Sequence, residues 1–184
     1  MTDVLVLSLV ELPRQLGATL HHDIEWTAPD DLGTPSMRVE TGTVIPLDVD
    51  LTSVDGGVLV RVSTSVELVG ECVRCLDEVR ARHDVDAADV YFEIAPPTDE
   101  DDPEADDARL IGPRDTIDLE PLLRDSIVTL VDARPLCRAD CPGLCDVCGE
   151  KWDELPADHE HVLIDPRLAS LASLLDQPIS DPTD

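Results

Sequence analysis

The chain has 184 residues, 42% of them hydrophobic but only 2% aromatic, and 41 acidic against 13 basic residues give a net charge of −28. That length suits one domain with additions, and its core must be aliphatic, since Trp26, Tyr91, Phe92 and Trp152 are the only large rings. Such a charge repels a phosphate backbone and so few rings leave no stacking platform, which argues against strong direct nucleic-acid binding and for a basic protein partner.

The opening MTDVLVLSLVELP has an apolar run preceded by Asp3 and by no basic residue, the wrong order for an export signal. No stretch approaches membrane-spanning length. The expectation is a cytoplasmic protein with no membrane contact. Residues 4–16, which alternate weakly, predict a first strand before Pro13 and Gly17, and the polar 21–36, with Pro29, Gly33 and Pro35, predicts a loop. From Arg38 to Val54, Leu47, Val49 and Leu51 alternate with Asp48, Asp50 and Thr52, and Asp55-Gly56-Gly57 supplies a hairpin turn. The return strand carries Val58, Val60, Val62, Val66 and Leu68 toward Gly70. A second hairpin follows, with Cys72-Val73-Arg74-Cys75 at its tip and Val79, Val85 and Val90 to Ile94 on the way back.

Residues 96–109 (PPTDEDDPEADDAR) combine two prolines with an acidic run and predict a disordered loop. Asp118-Leu119-Glu120-Pro121 then opens a helix that Asp118 is placed to cap and Pro135 to stop. Its apolar stripe is Leu119, Leu122, Leu123, Ile127 and Leu130. A shorter helix is expected from Asp165-Pro166 through Leu168, Leu171, Leu174 and Leu175. The expected fold is α+β: an antiparallel sheet or open barrel with one long and one short helix, its cysteine knuckles tied by a metal. A mainly β region, 1–95, and a helical and cysteine-bearing region, 110–175, form one domain, and 176–184 is a disordered tail.

The six cysteines fall into Cys72-x2-Cys75 and Cys137-x3-Cys141-x3-Cys145-x2-Cys148. Without export they read as metal ligands rather than disulfides. Two thiolates two residues apart converge on one ion, and two such knuckles complete a closed tetrahedral site suited to structural Zn²⁺. By spacing, the expected ligands are Cys72, Cys75, Cys145 and Cys148. Cys137 and Cys141 are the alternative ligands, and a local site on the four later cysteines is a third arrangement. Loop closure grows only logarithmically with length, and structural zinc contributes on the order of 10–16 kcal/mol. Iron in a four-thiolate site stays open. The strand–helix context of a redox Cys-x2-Cys pair is missing. His159-x-His161 is a further ligand source, but a polar tail is the plainer reading, and His21, His22 and His83 read as plain polar residues. Arg74 and Arg138 adjoin ligand cysteines and would offset a site charge of −2.

The order GECVRCLDEV, an acidic gap, IDLEPLLRDSIV, PLCRADCPGLCDVCGEKW and DPRLASLASLL resembles the YceD family of large ribosomal RNA subunit accumulation proteins. The likeness runs from about Val44 to Leu175, with a weaker echo in ELPRQLG. It implies a part in accumulation or processing of large-subunit ribosomal RNA and no enzymatic activity. In that family the first Cys-x2-Cys is the more widespread, and some relatives lack the second knuckle while keeping polar residues near the positions of Cys137 and Cys141. Asp146 stands where relatives often have Pro.

The expected function is therefore a non-catalytic, zinc-stabilised ribosome-biogenesis factor. Its expected partner is a basic ribosomal protein or a large-subunit assembly intermediate, with ribosomal RNA contacted indirectly. One alternative is direct RNA binding through Arg74, Arg80, Arg82 and His83. The other is a zinc-dependent or redox enzyme, which lacks an acid–base pair beside an open metal position.

Overall fold

The computed structural model describes residues 5–95 and 108–161, and the chain divides into two compact units, Met1–Cys141 and Pro142–Asp184. Among the described residues the first unit holds β1 (Val6–Ser8), β2 (Thr19–Thr27), β3 (Met37–Val39), β4 (Val44–Val54), β5 (Gly57–Glu71), β6 (Glu78–Phe92), β7 (Thr116–Asp118) and α1 (Glu120–Thr129). All strand pairings between these elements are antiparallel. None of the described helices is long and apolar enough to cross a membrane.

The period-2 pattern of β4 is realised in full: Ile45, Leu47, Val49 and Leu51 are buried and Pro46, Asp48 and Asp50 are exposed. Gly56, at φ +74°, sits in the tight turn to β5, whose Val58, Val60, Val62, Val66 and Leu68 continue the same buried layer. Thr64 falls in this apolar row, and its hydroxyl donates to the Pro46 carbonyl at 2.6 Å. One edge of β5 pairs with β6 over all fifteen residues, Gly57↔Phe92 to Glu71↔Glu78. Its other edge is shared, first by β4 (Val54↔Gly57 to Asp48↔Ser63) and then by β3 (Val39↔Leu68 to Met37↔Gly70). Gly70 allows that second pairing, because a Cβ there would stand 2.2 Å from the Ser36 carbonyl oxygen. The sheet is open rather than closed into a barrel, and β1 with β7 makes a separate two-stranded sheet.

Several elements depart from the sequence reading. The expected first strand over 4–16 is only Val6–Ser8. The expected loop over 21–36 is strand as far as Thr27, since β2 pairs with β4 from Thr19↔Thr52 to Thr27↔Val44, while 28–36 lies outside the strands and the helix. Leu20, His22, Ile24 and Trp26 do alternate there, but two of the nine residues are histidines and the apolar signal is broken. A long-range partner settles such a segment. The helix expected from Asp118 begins at Glu120, and Leu119 takes the N-cap position; Asp118 still accepts the Glu120 N–H at 3.0 Å. It ends at Thr129, ahead of Pro135, and the Asp132 carboxylate then takes the Arg134 N–H at 2.8 Å in a local turn. The acidic segment up to residue 107, the helix expected from Asp165 and the tail lie outside the described residues.

The core is aliphatic as composition required. Leu119, Leu122, Leu123 and Ile127 join Val60, Val62, Leu68, Val85 and the strand pair's Ile117 in one buried cluster. Trp26 and Tyr91 are its only large rings, and the Tyr91 hydroxyl donates to the Asp118 carbonyl at 2.7 Å. Where the chain resumes after the acidic segment, Phe92 and Ile111 exchange backbone bonds with Arg109 and Phe92 at 2.9 Å. The Arg109 guanidinium meets Asp89 at 2.8 Å and Asp125 at 2.6 Å, joining this segment to β6 and α1.

Candidate metal centre

The β5–β6 hairpin presents Cys72 and Cys75 at its tip. The Cys72 N–H donates to the Asp77 carbonyl at 2.7 Å, and the Leu76 N–H returns to the Cys72 carbonyl at 2.9 Å. Leu76 closes this knuckle at φ +63°, the left-handed region. The segment after α1 lies alongside, fixed by Val73 N–H to the Pro135 carbonyl (2.9 Å) and Arg74 Nη1 to the Cys141 carbonyl (2.8 Å). Cys137 and Cys141 thereby face the tip. Cys75 Sγ lies 3.5 Å from Cys137 Sγ and Cys72 Sγ 3.9 Å from Cys141 Sγ, with all four sulfurs within 4.8 Å of one another. Cys72, Cys75 and Cys141 are buried and Cys137 is exposed.

All four are free thiols, and these separations are far from a disulfide bond of about 2.05 Å. Tetrahedral zinc with Zn–S bonds of about 2.3 Å sets its sulfurs about 3.8 Å apart, so the four residues fit the ion. The electrostatics agree. Burial opposes ionisation of Cys72, but backbone N–H groups of Cys137, Arg74 and Cys75 aimed at the sulfur bring its pKa down to about 6. The Asp77 N–H favours a Cys75 thiolate, yet burial and the sulfurs of Cys137, Cys72 and Cys141 push Cys75 well up. The Cys137 thiol is also raised: its bond to Cys75 works the other way, but burial and the neighbouring sulfurs prevail. Several sulfurs crowd around one negative charge, which is the setting a dication relieves.

Cys145 and Cys148, expected to complete this site, stand in the second unit in a knuckle of the same construction. The Cys145 N–H donates to the Glu150 carbonyl at 2.8 Å, the Gly149 N–H to the Cys145 carbonyl at 2.9 Å, and Gly149 takes φ +77°. The N–H groups of Cys148 and Val147 hold the Cys145 thiol below its ordinary value. The ligand atoms grouped with this pair are those of His159 and His161. So the structure joins the first knuckle to the alternative ligands Cys137 and Cys141, and the second knuckle to the two histidines. Cys148-x10-His159-x-His161 is the signal for that second set in the sequence, obscured by its polar surroundings.

The arginine cluster of the RNA-binding alternative is engaged within the protein. Arg80 meets Glu78 at 2.7 Å, Glu67 at 3.0 Å and Glu40 at 3.2 Å. Arg82 donates to Ser65 Oγ at 2.7 Å, and Arg74 serves the Cys141 carbonyl. Arg138, expected to offset the site's charge, lies 3.2 Å from Asp140.

The chain matches the family described as large ribosomal RNA subunit accumulation protein YceD over residues 60–175. It is 35% identical over 173 residues to uncharacterized proteins of Mycobacterium tuberculosis and Mycobacterium bovis, covering 93% of this chain and 81% of theirs. An uncharacterized protein of Mycobacterium leprae is 33% identical over 186 residues, covering 97% of this chain and 82% of its own. No solved structure matches the chain.

Proposed function

Since this chain belongs to the YceD family, we propose that it supports large-subunit ribosomal RNA accumulation as a non-enzymatic cytoplasmic protein, binding a basic ribosomal protein or a large-subunit assembly intermediate. The zinc of this reading is structural and sits on Cys72, Cys75, Cys137 and Cys141. Four thiolates close the coordination sphere and leave no position for water or substrate, which supports a scaffold role. The ion holds the β5–β6 tip to the segment following α1.

One observation carries the choice of partner. Asp23, Asp48, Ser63 and Asp86 stand in register across β2, β4, β5 and β6 on the exposed face of the sheet. With strands about 4.8 Å apart, the row spans about 14 Å. Asp23 lies directly opposite Asp48, a like-charge pairing with His21 as the neighbour of both carboxylates, at 3.5 Å and 3.6 Å. A face that presents three aspartates in one row is complementary to a lysine- and arginine-rich surface. With Arg74, Arg80 and Arg82 already engaged, ribosomal RNA is reached through that partner.

The test is genetic. Cells lacking the gene are expected to lose large-subunit relative to small-subunit ribosomal RNA, and the wild-type chain to restore it. A chain with Asp23→Lys, Asp48→Lys and Asp86→Lys, shown by circular dichroism to be folded, is expected not to. Normal large-subunit RNA in the deletion strain contradicts the function, and full rescue by the triple variant contradicts the acidic face.

A further inference from the structure

We infer that the second unit carries its own metal site, a zinc ion held by Cys145, Cys148, His159 and His161, separate from the four-thiolate centre of the first unit. One ligand atom from each of the four residues lies within 4.8 Å of the others. Zinc bonded to sulfur at about 2.3 Å and to imidazole nitrogen at about 2.05 Å sets those two atoms about 3.6 Å apart. Cys148 Sγ and His159 Nε2 are 3.6 Å apart.

The second observation is an orphan. His161 Nε2 is buried and has no hydrogen-bond partner. An imidazole nitrogen closed off from water without a partner is costly, and a metal bond satisfies it. The His159 and His161 rings meet edge to face, centroids 4.5 Å apart at 88°, and Trp152 stands edge-on to His159 at 5.5 Å. These contacts pack the two imidazoles against each other and against Trp152.

The third is structural economy. No residue of 142–161 belongs to the hydrophobic core cluster, and Val147 and Trp152 are exposed. Among these described residues the backbone bonds are those of the knuckle, the Leu144↔Lys151 bridge with the Trp152 N–H on the Gly143 carbonyl at 3.1 Å, and two single turns, Glu154 N–H to Lys151 carbonyl at 2.9 Å and His159 N–H to Pro156 carbonyl at 3.0 Å. Among the described residues, then, this segment adds nothing to the aliphatic core that would offset its ordering entropy, and a structural metal is the usual remedy in small modules. The ligand chemistry suits the task. Two thiolates and two neutral imidazoles leave Zn²⁺ with no net charge, whereas the four-thiolate centre carries −2. No further charge is added to a chain that is already strongly anionic.

The test counts metal on the full-length chain. Protein stripped with chelator and refilled with Co²⁺ alone is expected to bind two equivalents. His159→Asn with His161→Asn is expected to bind one, keeping the absorption of a four-thiolate cobalt centre. Cys137→Ser with Cys141→Ser is expected to bind one with the weaker thiolate absorption of a two-sulfur site, provided circular dichroism shows that it folds. The histidine variant is decisive even if the serine variant does not fold. One equivalent on the wild-type chain, or two still bound by the histidine variant, overturns the inference. Neither readout depends on ribosomal RNA, so this result and the proposed function stand or fall apart.

Discussion

Arg74 on the β5–β6 tip donates from Nη1 to the carbonyl of Cys141 at 2.8 Å, so a residue between the first two cysteines of the candidate centre grips the backbone of the fourth. It acts through main chain rather than through sulfur, holding two parts of the chain 67 residues apart in sequence. Groups that orient metal ligands from outside the coordination sphere typically matter 10- to 100-fold in affinity. Arg74→Ala is therefore expected to weaken metal binding at the four-thiolate centre by about 10- to 100-fold. Competition with a chromophoric chelator checks this, and Arg74→Lys, which lacks the planar fork, is expected to recover only part of the loss.

The two knuckles differ at their closing residue. Leu76 and Gly149 both occupy left-handed φ, and Leu76 is mostly exposed, so its side chain contributes little packing. A Cβ in that region costs roughly 1–2 kcal/mol, and a new glycine loosens the unfolded chain by about 0.4–1 kcal/mol. Leu76→Gly is expected to be neutral or to stabilise the first unit by up to about 1.5 kcal/mol. Gly149→Val is expected to weaken the second knuckle, lowering the protection of its amides from hydrogen exchange.

Arg109 is the anchor where the chain returns from its acidic segment. Its side chain is four-fifths buried between Asp89 of β6 and Asp125 of α1. Hydrogen bonds to charged groups contribute about 1.5–3 kcal/mol, so Arg109→Ala is expected to cost about 2 kcal/mol in chemical denaturation. Arg109→Lys cannot span both carboxylates and is expected to recover less than half of this.

The aspartate row also makes a pH signature. His21 is raised above the ordinary histidine value of 6.5, first by its 3.1 Å contact with Asp50 and also by Asp48 and Asp23, against a smaller opposing effect of desolvation. A raised folded value means that His21 contributes stability fully below 6.5 and loses it as pH climbs through the folded value. The melting temperature of the wild-type chain is expected to exceed that of His21→Asn below 6.5, and the gap to close above the folded value. Thermal scans of both proteins across that window check the sign.

Much of the first unit was legible because its signals are local. Leu47, Val49 and Leu51 alternate with aspartates, Asp55-Gly56 marks a turn, and Leu119, Leu122, Leu123 and Ile127 keep helical spacing. β2 was hidden because His21, His22 and Asp23 interrupt its apolar row, and only pairing with β4 decides it. The sulfur grouping was harder. Cys72-x2-Cys75 and Cys145-x2-Cys148 form knuckles with the same backbone bonds, so spacing favoured joining them. What accompanies each is decided by three-dimensional neighbours: Pro135 and Cys141, whose carbonyls receive Val73 and Arg74, and the pair His159 and His161. The first grouping has no short-range signature, and the His159-x-His161 signal of the second is obscured by its polar surroundings.

Whether Cys72, Cys75, Cys137 and Cys141 share one ion is tested most directly by thiol alkylation mapped by mass spectrometry on the freshly purified full chain. The prediction is that these four cysteines resist modification together and become reactive together when chelator is added, even though Cys137 is exposed. Alkylation of Cys137 at the same rate with and without chelator would contradict it.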